Sequence, residues 1–261
     1  MSYLLGFLIA LCIALTGVGA GTITVPVLVL FLNVPAALAV GIGLTFAAAV
    51  KAILAPAQLV QGNVSWRTLG FMLLGGVPGV LVGSLLLRHL VVAGLNGVLN
   101  AILGAILVGT ASWQIFSSFR PMWANRANRD RTPLLSWLMF AVGAEVGFSS
   151  AGAGALGSAA LLSLTPLEPV QVVGTDILFG FTVSLLGGGA HWLAGSSNLM
   201  RPGNLDLLMQ LIGGGLCGAI VGTLVSSRIP RRPLRFALWL WLLILGGIFL
   251  FNSYHAWAAM H

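Results

Sequence analysis

Of the 261 residues, 58% are apolar and 7% charged, and the mean hydropathy is +1.04. A soluble domain carries roughly 25% charged residues, so a soluble enzyme or binding module is excluded and the chain is an integral membrane protein. The net charge of +7 does not indicate a nucleic-acid partner, because the arginines sit in a few breaks between apolar runs, which is how membrane chains encode topology.

The start, Met1-Ser2-Tyr3-Leu4, has no basic n-region and no small-residue cleavage site, and reads as mature protein rather than a secretory signal. The polar breaks predict apolar segments at 3–32, 35–61, 68–87, 90–116, 134–164, 169–195, 204–227 and 234–257, with a basic cytoplasmic linker over 117–133. The first and fifth are too long for one span, at ~45 Å of straight helix, and each is cut near its middle by glycines. The cuts are Thr16-Gly17-Val18-Gly19-Ala20-Gly21-Thr22 and Ser149-Ser150-Ala151-Gly152-Ala153-Gly154. These segments are either broken spans or hairpins that return to the face they entered.

Arginine counting chooses between the two. If both segments return, nine arginines share one face and Arg88 and Arg201 face them; if the fifth crosses, the split is six to five. The positive-inside rule favours the hairpins, with the nine-arginine face cytoplasmic. The predicted fold is therefore all-α and polytopic. It has two inverted-topology repeats, 1–116 and 134–261, each a hairpin followed by three transmembrane helices. At an offset of 133 residues Gly19 and Gly21 fall on Gly152 and Gly154, Gly41 on Gly174, Phe46 on Phe179 and Gly62 on Gly195; at 139, Gly76, Gly79 and Gly83 fall on Gly215, Gly218 and Gly222.

These residues resemble the sulfite exporter TauE/SafE family over nearly the whole chain. The resemblance rests on Gly17-Val18-Gly19-Ala20-Gly21 followed by Pro26-Val27-Leu28, on Ala39-Val40-Gly41, on the Gly-Asn-Val-Ser turn at 62–65, and on Val172-Val173-Gly174-Thr175-Asp176. One departure is Ala159 where the first motif has Pro26. The resemblance implies a multi-pass transporter of the inner (cytoplasmic) membrane for a small anion such as sulfite or an organosulfonate. It fixes neither the anion nor the direction.

The residues support an anion site independently. Half-helices starting near Thr22 and Ala155 would point their positive N-terminal ends at the midplane, and the glycines of the two breaks, Gly17, Gly19, Gly21, Gly152 and Gly154, would let backbone N–H groups face a ligand. Thr16, Thr22, Thr24, Ser149 and Ser150 would add hydroxyl donors. The alternative is that the glycines only allow close helix packing, the favoured reading for Gly79, Gly83, Gly218 and Gly222.

Lys51 lies well inside the second segment, where a lysine costs at least ~2.5 kcal/mol, and is a candidate substrate contact or the partner of Glu145 or Asp176. Those carboxylates are candidates for carrying a coupling proton. Gln58 and His191 occupy equivalent places, as a gate or, the plainer reading for His191, an interfacial group beside Trp192. Cys12 and Cys217 read as packing residues, with no metal site and no cofactor.

No phosphate-binding loop is present, so energy must come from an ion gradient (proton or sodium), the membrane potential or a partner. The expected function is a secondary transporter working by alternating access, and not an enzyme. A channel for anions or small solutes is the alternative. Ser149-Ser150 with His191 lacks the glycine expected after a membrane-protease serine. The expected partners are the small anion, membrane lipid and a coupling ion; a homo-oligomer is left open.

Overall fold

The computed structural model describes residues 2–16, 19–119, 132–152, 154–193, 201–225 and 231–258. They form ten α-helices: α1 (Ser2–Thr16), α2 (Ala20–Phe31), α3 (Ala36–Val60), α4 (Trp66–Val92), α5 (Asn96–Phe119), α6 (Thr132–Ser149), α7 (Ala155–Leu164), α8 (Pro169–Leu193), α9 (Pro202–Val225) and α10 (Arg231–Ala258). Seven of these are long and apolar enough to cross a membrane, α3, α4, α5, α6, α8, α9 and α10.

Two boundaries differ from the sequence reading. The polar pair Arg88-His89 is not a break but lies in the last turns of α4; the chain turns at Ala93-Gly94-Leu95, where Gly94 has φ +72°. The turn requires left-handed backbone, which glycine adopts without steric cost, and that outweighs polarity as the signal. The second half-helix begins at Ala155 as expected, but the first begins at Ala20, ahead of Thr22. The linker residues 120–131, with four of the arginines, lie outside the described residues.

Glycine decides how the helices pair. A β-carbon added to Gly75, Gly79 or Gly83 of α4 would overlap the backbone carbonyl of Ser136, Phe140 or Ala144 on α6. In the same order, Gly214, Gly218 and Gly222 of α9 press on Tyr3, Phe7 and then Leu11 and Ala14 of α1. Both pairs are parallel and repeat the 133- and 139-residue offsets, as do the contacts of Gly76 with the Phe179 ring and Gly215 with the Phe46 ring. The packing reading of Gly79, Gly83, Gly218 and Gly222 is what the geometry displays.

Helix directions follow from further contacts. Thr45 accepts a 3.1 Å hydrogen bond from Trp192 Nε1, while at the opposite ends of α3 and α8 the Ser65 N–H donates to Thr175 Oγ1 at 3.0 Å and Gly174 abuts Asn63. Thus α3 and α8 are antiparallel, and so are α5 and α10, where Gly104 meets Phe249 and Gly246 meets Val108. The start of α3 lies at the end where α8 finishes and α9 begins. Since α1 runs parallel to α9, the chain enters with α1 and returns with α2 to that same end. By the same reasoning α6, parallel to α4, enters from the opposite end and α7 returns there. Both glycine-cut segments are hairpins, and α6, though long enough to cross, does not continue through.

Large side chains at the glycine contacts should separate the hairpins from their partner helices. Gly79→Leu and Gly218→Leu are each expected to lower the melting temperature in detergent sharply, since overpacking costs ~1–3 kcal/mol even where side chains, not backbone, must yield. Gly109→Leu, where a β-carbon meets open space, should leave it unchanged.

Candidate functional site

The two hairpin tips meet in the middle of the molecule. At Gly19, which precedes α2, a β-carbon would lie 3.3 Å from the amide nitrogen of Gly154, which precedes α7, and 3.3 Å from Thr22 Oγ1. The N-terminal ends of α2 and α7 therefore face each other across a space that an alanine would begin to fill. The first N–H groups of a helix have no partner within it, and the aligned peptides place roughly half a positive charge there.

The second break is shaped by its backbone. Ser150 has φ +62° and Gly152 φ +82°, so the chain leaves α6 through two left-handed residues. That conformation carries Ser150 against the first hairpin, where its carbonyl and hydroxyl abut Gly21 and its Oγ lies 3.1 Å from the position of a β-carbon on Gly43 of α3. Gly17 and Ala153 lie outside the described residues.

The five hydroxyls divide into two groups. Thr16 donates to the Cys12 carbonyl at 2.6 Å, Thr24 to Ala20 at 2.7 Å and Ser149 to Glu145 at 2.9 Å; each spends its proton on its own helix. Ser149 also accepts from the Ala151 N–H at 3.1 Å. The expectation that these three donate to a ligand is corrected: a buried hydroxyl one turn after a helical carbonyl takes that carbonyl. The hydroxyls of Thr22 and Ser150, residues 2% and 4% exposed, have no hydrogen-bond partner, and neither do Glu145 Oε1 and Asp176 Oδ1. A buried polar group left unpaired costs ~1–3 kcal/mol, so four of them around one pair of hairpins mark a place built to be completed by something else.

Three ionisable side chains lie close to this region. Asp176 on α8 accepts a 3.0 Å hydrogen bond from Ser158 of α7 and abuts Gly157, tying the second hairpin to α8. Lys51 on α3 is buried with its ammonium against Gly180, one helical turn beyond Asp176. Asp176 is not a hydrated end-of-span residue: it is 7% exposed and packed on the hairpin. Glu145 is half-buried against Gly152 of its own hairpin. Of the two partners expected for Lys51, Asp176 is one helical turn from the Gly180 that its ammonium touches, and no direct ion pair joins Lys51 to either carboxylate among the described residues.

His191 and Gln58 part company. His191 is 2% exposed, with Nε2 3.2 Å from the Gly147 carbonyl of α6. The interfacial reading is therefore corrected; α8 buries this edge against the hairpin. Gln58, near the other end of α3, accepts a 3.1 Å hydrogen bond from Asn63 in the turn that follows. Ser158 was missed by the sequence reading; its one signal is that it follows Ser150 by eight residues in a segment already singled out.

Paired hairpins with opposed helix ends, inside a bundle of membrane-length helices, define a polytopic membrane transporter. Residues 2–250 match the family described as Sulfite exporter TauE/SafE, and the chain belongs to that family. It is also 27% identical over 186 residues, 67% of this chain and 70% of the relative, to the probable membrane transporter protein YjnA of Bacillus subtilis (strain 168). No solved structure matches it significantly.

If the two free hydroxyls serve a ligand rather than the fold, removing them should not harm stability. Thr22→Val and Ser150→Gly are expected to melt at or above the wild-type temperature, the latter also relieving left-handed backbone. Both should lose the rise in melting temperature that a bound anion produces. Differential scanning fluorimetry with and without sulfite checks both halves of this expectation.

Proposed function

We propose that the protein is a secondary transporter of a small anion, a sulfur oxyanion such as sulfite or an organosulfonate, and that it works by alternating access of its two halves around the meeting point of the hairpin tips. The observation that carries this reading is the face-to-face arrangement of the α2 and α7 N-termini with the unpartnered Thr22 and Ser150 hydroxyls beside them. Fixed N–H groups and hydroxyl donors suit an oxyanion, whose oxygens accept several hydrogen bonds at once. Family membership supports a sulfur oxyanion, without choosing among its forms.

The antiparallel course of α3 and α8, and of α5 and α10, supports two halves of inverted topology. An in-plane two-fold axis carrying 1–116 onto 134–261 would relate each helix to a counterpart running the opposite way. Such halves can exchange roles across the membrane by rocking, which exposes one central site to each side in turn. Lys51 is the substrate's counter-charge or its competitor for Asp176. Asp176, bonded to the second hairpin through Ser158, is placed to couple its own protonation to hairpin movement. The basic face is cytoplasmic on this reading.

The test is counterflow in proteoliposomes. Saturable exchange of radiolabelled sulfite, inhibited by sulfonates, is expected for the wild type, and Lys51→Ala should lower kcat/KM at least ~10-fold, about 1.4 kcal/mol. Asp176→Asn should keep exchange while losing its response to an imposed proton gradient. Flux that does not saturate and shows no counterflow would indicate a channel instead.

A further inference from the structure

A cavity of mixed polar and apolar lining lies away from the hairpin tips, at the end of the bundle where α4 finishes and α5 and α9 begin. It has a volume of about 460 Å³ and is lined by Arg201 and Asn204 at the start of α9, Asn96 and Asn100 at the start of α5, and Pro35 and Ala36 at the start of α3. Among the described residues no carboxylate lines it, and none of those in the wall neutralises the Arg201 guanidinium. Guanidinium and carboxamide N–H groups together are donors to oxygen, and a guanidinium holds a planar or tetrahedral oxyanion by two parallel bonds.

Two further observations give the cavity a direction. Among the described residues Arg88 and Arg201 lie at this end, with Arg67 and the start of α10 at the other, and by the arginine count of the sequence this is the sparse face, where an arginine runs against the charge bias that orients membrane chains. Arg201 is one of those two and it lines the cavity, whereas Arg88 does not. The repeat does not reproduce Arg201 itself: at the 139-residue offset it falls on Gly62, while Asn96 falls on Arg235 and, at 133, Pro35 falls on Glu168, so the corresponding place at the other end pairs an arginine with an acid. The wall also draws on both halves, α3 and α5 from the first and α9 from the second, so relative movement of the halves must change its shape.

We propose that this cavity is an anion-binding vestibule, a second and weaker site for the same class of small oxyanion, which concentrates it at the arginine-poor mouth through Arg201. The substrate class rests on the transport function proposed above. A single exposed guanidinium in a cleft raises local anion concentration in a way that salt screens, so the effect belongs to the apparent affinity from one side.

The experiment has two arms. In the first, counterflow of labelled sulfite is measured in sidedness-sorted proteoliposomes for wild type, Arg201→Ala and Arg88→Ala. Arg201→Ala is expected to raise KM about 3- to 10-fold from the arginine-poor side only, with Vmax within twofold and the difference vanishing at high salt. Arg88→Ala should match wild type; equal effects of both variants, or an effect from both sides, would overturn the proposal. In the second arm, equilibrium binding of labelled sulfite to detergent-purified protein is measured in Lys51→Ala and in Lys51→Ala/Arg201→Ala. Residual salt-sensitive binding that disappears in the double variant supports the vestibule even if no transport of sulfite is found, which would defeat only the function proposed above. Binding and transport that ignore Arg201 would overturn the vestibule while leaving that function intact, and no binding in any variant would overturn both.

Discussion

Backbone that leaves the helix at the depth of the hydrocarbon has to be buried in protein, since lipid offers its N–H and C=O groups no partner. Each half of this chain breaks its first segment there, and everything else is arranged to bury the break. The glycine rows of α4 and α9 let α6 and α1 approach until backbone touches backbone, which sinks each hairpin into the opposite half. Each half thereby needs the other for its own hairpin. The result is a pair of helix ends held face to face, an arrangement that would repel itself electrostatically unless something negative came between them.

The packing repeats between the halves, but the charges do not. At the 133-residue offset Lys51 falls on Ser184, Asp176 on Gly43, Ser158 on Val25 and Glu145 on Cys12. Each intramembrane ion is thus placed where its counterpart is small or uncharged. A lysine or aspartate in a membrane interior is costly, and a structural need common to both halves would have appeared twice. The asymmetry separates what holds the bundle together, which is glycine and apolar packing, from what it does to a charged substrate or proton.

Much of this was legible in the sequence. Segment length, the glycine cuts and the arginine count led to two hairpins, because membrane thickness and backbone satisfaction leave few alternatives, and in the fold α1–α2 and α6–α7 each return to the end they entered. The offsets of 133 and 139 residues also reappear as physical contacts. The end of α4 was misplaced because polarity at Arg88-His89 competes poorly with the left-handed turn at Gly94. The site was half-legible: its glycines and ions stood out by rarity. Which of five hydroxyls is spent on its own helix depends on side-chain rotamers, and residue type does not encode them. The burial of His191 beneath α6 and the bond from Ser158 to Asp176 are contacts between helices, beyond reach of any local pattern.

The central claim is that an oxyanion sits between the hairpin tips. X-ray diffraction from crystals soaked in selenite, which shares the shape and charge of sulfite, would locate it through the anomalous signal of selenium. The account predicts a peak within hydrogen-bonding reach of the Gly154 N–H and the Thr22 and Ser150 hydroxyls. Well-ordered crystals with selenium bound elsewhere, and none between Gly19 and Gly154, would contradict it.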